Sequence, residues 1–155
     1  MVVQFRVLGE VEARADGQLV ELGHARQRCV LVTLLVQANH PQQALALFRE
    51  IGHRAGEAMA LNAVGETHHV TGDPEHARAN HDVALTLASR ISDRYEQARA
   101  HNGLAHTHHA SGDPDPARHH WRQALALYTD LGVPEADDIH AHLTALDQAT
   151  GDDND

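Results

Sequence analysis

No lysine occurs in this 155-residue chain: all 12 fixed positive charges are arginine, set against 22 carboxylates, for a formal net charge of −10. Residues 1–40 carry four arginines and four acids, so the whole excess lies beyond them. An acidic body repels phosphates, which argues against a nucleic-acid surface there. The 15 histidines temper this only below about pH 6, where imidazole gains charge. A single cysteine, Cys29, excludes an internal disulfide, and no Cys-x-x-Cys exists for zinc or redox work. A reducing cytoplasm is the expected setting. Long apolar runs are missing too. The longest, Cys29–Val36, is broken by Thr33 and falls well short of the roughly 18 residues that cross a bilayer, so no membrane association is expected. A polar, acid-containing segment ahead of it argues against a secretory signal.

Repetition is what the chain does have. Asn62-Ala63-Val64-Gly65-Glu66-Thr67-His68-His69-Val70-Thr71-Gly72-Asp73-Pro74 returns as Asn102-Gly103-Leu104-Ala105-His106-Thr107-His108-His109-Ala110-Ser111-Gly112-Asp113-Pro114, an offset of 40. Ala77-Arg78 matches Ala117-Arg118 at the same offset, and Ala44-Leu45, Ala84-Leu85 and Ala124-Leu125 form a third series. Each unit reads as two helices. In Gly-Asp-Pro, glycine supplies a left-handed terminal residue, aspartate caps the next helix, and proline suits its first turn. Helices are expected over about 55–71, 74–91, 94–111, 114–131 and 135–149. Gly65, Ala105 and the alanines at 77, 84, 117 and 124 fall where helices approach closely. Val64, Leu85, Leu87, Leu104, Trp121, Leu125 and Leu127 fill the remaining core. One hairpin cannot bury such a face alone, so the units must stack.

These units resemble tetratricopeptide repeats: a small residue at Gly65 or Ala105, then Gly72-Asp73 or Gly112-Asp113, then Ala77 and Ala84 or Ala117 and Ala124. The period exceeds the usual length of about 34. That lengthened form is similar to repeats at the C-terminal end of large signal-transduction regulators, most clearly from Ala117 to Tyr128 and from Leu131 to Ala136. The resemblance covers about residues 43–149. It implies a mostly α fold of tetratricopeptide-type α-α superhelical repeats, two full units plus partial ones.

Residues 3–22 read as a small antiparallel β segment. Val3, Phe5 and Val7 alternate with polar residues, as do Val11, Ala13 and Ala15, and Asp16-Gly17 is a hairpin signal ahead of Leu19–Leu22. His24–Ala38 reads as an apolar helix ended near Pro41. Gln4–Val11, Leu22–Arg28 and Leu31–Asn39 together resemble the start of the OmpR-type winged helix that opens SARP-type regulators of antibiotic biosynthesis. In that family a second helix, a recognition helix and a wing follow; here Gln43–Phe48, like the second helix of a repeat, comes directly. The family's ATPase module is missing, since no Gly-x-x-x-x-Gly-Lys-Ser/Thr loop occurs. The resemblance implies a shortened regulator: a truncated winged-helix start over 1–40, repeats over 41–150, and a disordered acidic tail over 151–155. Helix 24–38 is expected to pack on helix 43–51 in place of a missing first helix.

In tetratricopeptide folds the first helix of each pair lines a concave groove. By position, the resemblance places Met59, Asn62, Glu66 and His69 there, with Arg99, Asn102, His106 and His109 one unit on. Spacings of three and four put each set on one helix face. An asparagine at the same place in both units could clamp a peptide backbone, because its amide both donates and accepts. The plainer alternative is a solvated groove with no fixed ligand. The adjacent pairs His68-His69, His108-His109 and His119-His120, and His106 with His109, raise a metal-binding alternative. Neighbours at i, i+1 diverge by about 100° on a helix, which suits shared ligation poorly. No metal or cofactor is therefore expected. Catalysis is not expected either: Ser89, Ser92 and Ser111 fall at helix ends or turns, and Asp73 and Asp113 do capping work.

The expected function is protein or peptide binding, in transcriptional regulation by family resemblance. The rival is DNA binding, directly or through an intact relative. Arg6, Arg14, Arg26 and Arg28 could touch phosphates, but without a recognition helix base readout has no carrier. An uncovered sheet edge in residues 1–40 makes homodimerisation a further expectation.

Overall fold

The computed structural model describes residues 3–6, 12–15, 18–20 and 40–151. Among them six helices follow one another: α1 (Pro41–Glu50), α2 (Arg54–Val70), α3 (Pro74–Ile91), α4 (Arg94–Ala110), α5 (Pro114–Leu131) and α6 (Glu135–Gly151). Ahead of them, β1 (Val3–Arg6), β2 (Glu12–Ala15) and β3 (Gln18–Val20) pair antiparallel in that order. Phe5 lies opposite Ala13, and Ala13 opposite Val20. The Asp16-Gly17 turn, the helix expected over 24–38 and residues 152–155 lie outside the described residues. Helix α1 begins at Pro41, two residues before its expected start, because proline is itself a good first-turn residue.

Chain reversals come every 20 residues, half the sequence period. Gly52, Gly72, Ser92, Gly112 and Gly132 all have positive φ, at 67°, 78°, 58°, 81° and 68°. The residue after each returns its N–H to a carbonyl of the helix just finished: His53 to Phe48, Asp73 to His68, Asp93 to Ala88, Asp113 to His108, and Val133 to Tyr128, at 2.9–3.3 Å. That closure satisfies a carbonyl which the helix end would otherwise leave open. On the entry side, His53, Asp73 and Asp93 accept from the backbone N–H of Gly56, His76 and Glu96 at 2.9, 3.2 and 3.1 Å. Asp113 departs from its expected capping role. It makes no such bond, and its carboxylate lies 3.9 Å from His108 Nδ1 instead.

Each helix packs on the next along the chain, and α2 also meets α4, the first helix of the following hairpin. Helices α3 and α5 have no comparable contact, so the first helices form the inner side of the curve. Ala77, Ala84, Ala117 and Ala124 are fully buried, as close helix approach requires. The apolar residues separate into two cores. Leu47, Phe48, Leu61 and Val64 fill one, to which α1, α2 and α3 contribute, while Trp121, Tyr128, Ile139 and Leu146 fill the other, to which α4, α5 and α6 contribute. Val64, Leu104 and Trp121 are buried as expected; Leu85, Leu87, Leu125 and Leu127 are only partly so, lying against these cores. No helix among the described residues is long and apolar enough to cross a membrane.

Ser92 is the non-glycine residue held at positive φ. A left-handed conformation strains any Cβ, so Ser92→Gly is expected to stabilise the fold by about 0.5–1 kcal/mol after the entropy of the unfolded glycine is counted. Urea denaturation reads this directly; an unchanged or lower midpoint would show the turn to be unstrained.

Candidate functional site

The inner side of the curve is built from α2 and α4, which carry the eight groove candidates. Glu66, His69, Asn102 and His106 come together with Val70, His81 and Gly103 around one recess of about 160 Å³. Glu66 is exposed and takes a two-pronged ion pair from Arg99, both N···O distances 2.7 Å. Arg99 also lies 3.7 Å from the Glu96 carboxylate. The remaining candidates lie apart from the recess walls. Met59 packs against the first core, and His109 lies over Trp121 with ring centroids 5.5 Å apart.

Asn62 departs from the expected role. It is fully buried, and both ends of its amide are used inside the protein. Its Nδ2 donates to the backbone oxygen of Glu96 at 3.0 Å and to Glu96 Oε2 at 2.8 Å. Its Oδ1 faces His81 Nδ1 at 3.0 Å. Position alone assigned Asn62 and Asn102 the same task; burial separates them. Asn102 is half-buried, and its Oδ1 accepts from Trp121 Nε1 at 3.1 Å.

A polar layer therefore lies between the two cores, made of Asn62, His81, Glu96, Arg99 and Glu66. Because Asn62 offers an oxygen to His81 Nδ1, that nitrogen carries the proton and Nε2 holds a bare lone pair. His81 is fully buried and its Nε2 has no partner; among the described residues only Glu135 Oε2 shares that condition. A buried acceptor left unpaired costs about 1–3 kcal/mol. The ring lies hard against Gly65 and Gly103, where an added Cβ would fall 2.6 and 2.3 Å from Nε2. Glycine at these two positions is thus a condition of having an imidazole here.

His81 and Glu96 were not among the sequence candidates. A signal for His81 does exist in the repeat. Phe48, His81 and Trp121 each stand four residues after the first buried alanine of their helix, at Ala44, Ala77 and Ala117. A polar ring at a position where its counterparts are hydrocarbon rings marks an exception. Glu96 has no such signal, because Ala136 stands 40 residues on.

Burial pushes the His81 imidazole down to about 4, helped by the positive charge of Arg99 and the neighbouring rings of His69 and His106. Burial likewise takes His106 to about 4, with His142 and His69 adding repulsion. His101 falls to about 4 through burial and the proximity of His120, whose Nδ1 is 2.9 Å from its own. Burial raises the Glu96 carboxyl, against the opposing pull of Asn62 and Arg99. Other imidazoles gather on Trp121: His142 stacks on it at 5.2 Å and His106 meets it edge-on at 5.4 Å. Among the described residues no group of three or more histidine, cysteine or carboxylate side chains is placed to hold a metal ion.

Two outcomes follow for stability. Asn62→Ala strands His81 Nδ1 and part of Glu96, so a loss of about 2–3 kcal/mol is expected, against about 1 kcal/mol for the half-buried Asn102→Ala. Equal costs in urea denaturation would remove the distinction. The three low imidazoles are neutral when folded but titrate near 6.5 when unfolded, so the unfolded chain binds more protons in between. Stability is complete above about pH 6.5 and declines on acidification toward pH 4, with on the order of 3 kcal/mol from His81 alone. Urea midpoints at pH 7 and pH 4.5 should differ accordingly, and less so in His81→Phe; a flat profile would mean the rings are not buried neutral.

Comparison with known proteins agrees with this architecture. A family model described as Tetratricopeptide repeat matches residues 56–130, from the first turn of α2 to the end of α5. No curated protein matches the chain. Residues 56–130, which hold the recess, the polar layer and two stacked hairpins, are thus similar to tetratricopeptide repeats.

Proposed function

We propose that the chain is a non-catalytic module that binds a protein or peptide along the α2–α4 face. Tetratricopeptide repeats typically mediate protein–protein interaction. The observation that carries the assignment to this face is the recess, where Glu66, His69, Asn102 and His106 meet at the junction of two hairpins. Asn62 belongs to the support of that face, and the contacts come from its neighbours.

The resemblance of residues 4–39 to the start of a SARP-type regulator extends the reading to transcriptional regulation in the cytoplasm, through a partner protein. In that reading residues 1–40 are a separate β-containing unit joined to the repeats, and their sheet edges offer a route to a homodimer. Direct DNA readout is disfavoured by the acidic repeats and by the lack of a recognition helix in the sequence.

The purified chain should capture a partner from the lysate of its source. Glu66→Gln combined with His69→Ala should weaken that capture about tenfold with unchanged circular dichroism, as loss of a central contact does. Retention of every captured protein by the double variant would overturn the assignment to this face. A specific gel shift with promoter DNA would favour the rival reading.

A further inference from the structure

The recess has a chemical character that peptide binding in general does not require. Its floor is an imidazole where the corresponding helices carry Phe48 and Trp121, all three rings at most 2 % exposed. The imidazole is fixed in one tautomer by Asn62, and its Nε2 is an acceptor with nothing to accept from. Any Cβ at Gly65 or Gly103 would fall against that atom, so the two glycines make the room that the ring itself fills beside the recess. The recess above is lined by the Glu66 carboxylate and by the rings of His69 and His106. The amide oxygen of Asn102, on the same wall, is already taken by the indole N–H of Trp121. In the adjoining polar layer two carboxylates, Glu66 and Glu96, face one guanidinium, Arg99.

A group entering this recess must donate hydrogen bonds, and the surplus carboxylate favours a positive one. An ammonium meets both demands in a compact form, with three donors and no acceptor. The chain has no lysine of its own and a net charge of −10, so a lysine ammonium must come from another molecule, which the charge would attract.

We propose that the recess between α2 and α4 is a subsite for the lysine ammonium of a protein partner, which donates to His81 Nε2 and to the Glu66 carboxylate. The proposal rests on the partner-binding reading above and names the side chain that reading leaves open. His81 is here a binding residue and Asn62 a positioning residue, since Asn62 holds the tautomer that presents the lone pair.

The test uses the full chain and n-butylammonium as a minimal probe, with n-butanol and butyrate beside it. The readout is the nitrogen chemical shift of His81 Nε2 near neutral pH. A saturable shift with n-butylammonium, and none with the other two, is expected. No shift, or an equal one with n-butanol, would overturn the proposal. His81→Phe places a hydrocarbon ring where Phe48 and Trp121 already sit and should fold; in it, the response of the Gly103 and Asn102 amide resonances to the probe should vanish. Glu66→Gln, which keeps the side chain's shape and removes its charge, should weaken the probe about fivefold. Wild-type binding in either variant also overturns it. A partner that binds while the probe leaves Nε2 unmoved would sink the subsite alone, and a probe that binds where no partner does would sink the partner reading alone.

Discussion

Close approach of helices through alanine is the constraint on which this structure depends. With Ala77, Ala84, Ala117 and Ala124 fully buried, the hairpins come near enough for a few large side chains to close each core. One Phe48 in the first core and one Trp121 in the second supply much of the bulk. Trp121 could not be enclosed by one hairpin alone, because His106 and His109 of α4 and His142 of α6 lie on its ring from both sides of α5. The left-handed turns at intervals of 20 residues set the length of every helix, and so keep the buried alanines at the same place in successive hairpins.

Between the two cores the packing logic changes. His81 takes the place of a hydrocarbon ring, and its polarity has to be met by other buried groups. Asn62 meets one nitrogen and at the same time ties down Glu96 on the neighbouring hairpin, so a single amide links α2, α3 and α4. Arg99 then spans from Glu96 outward to Glu66 at the rim. Buried polar groups of this kind add little net stability over hydrocarbon but favour one arrangement of the helices over others. The same residues that fix the register of the stack also shape the recess, which is why architecture and binding chemistry meet at one junction.

Much of this was legible in the residues. The offset of 40, with Gly-Asp-Pro at 72–74 and 112–114, gave the approximate limits of the helices from α2 onward, since glycine, aspartate and proline act through local backbone geometry. The small residues at helix crossings were legible for the same reason. The role of Asn62 was not. Its counterpart Asn102 stands at the same place in the repeat, and what divides them is the ring each faces across the hairpin, His81 for one and Trp121 for the other. That partner lies 19 residues away, beyond the reach of any local pattern. Glu96 was hidden for a related reason: a carboxylate in the first turn of a helix reads as an exposed, dipole-favoured residue, and only the stacking of α4 on α2 buries it.

The shared amide is where the whole picture is most exposed to experiment. A double-mutant cycle pairing Asn62→Ala with His81→Phe, followed by urea denaturation near neutral pH, isolates the interaction between the two side chains. Coupling above about 1 kcal/mol is expected of residues in one buried network, whereas effects that add to within about 0.3 kcal/mol would mean that Asn62 and His81 do not hold the two halves of the stack together.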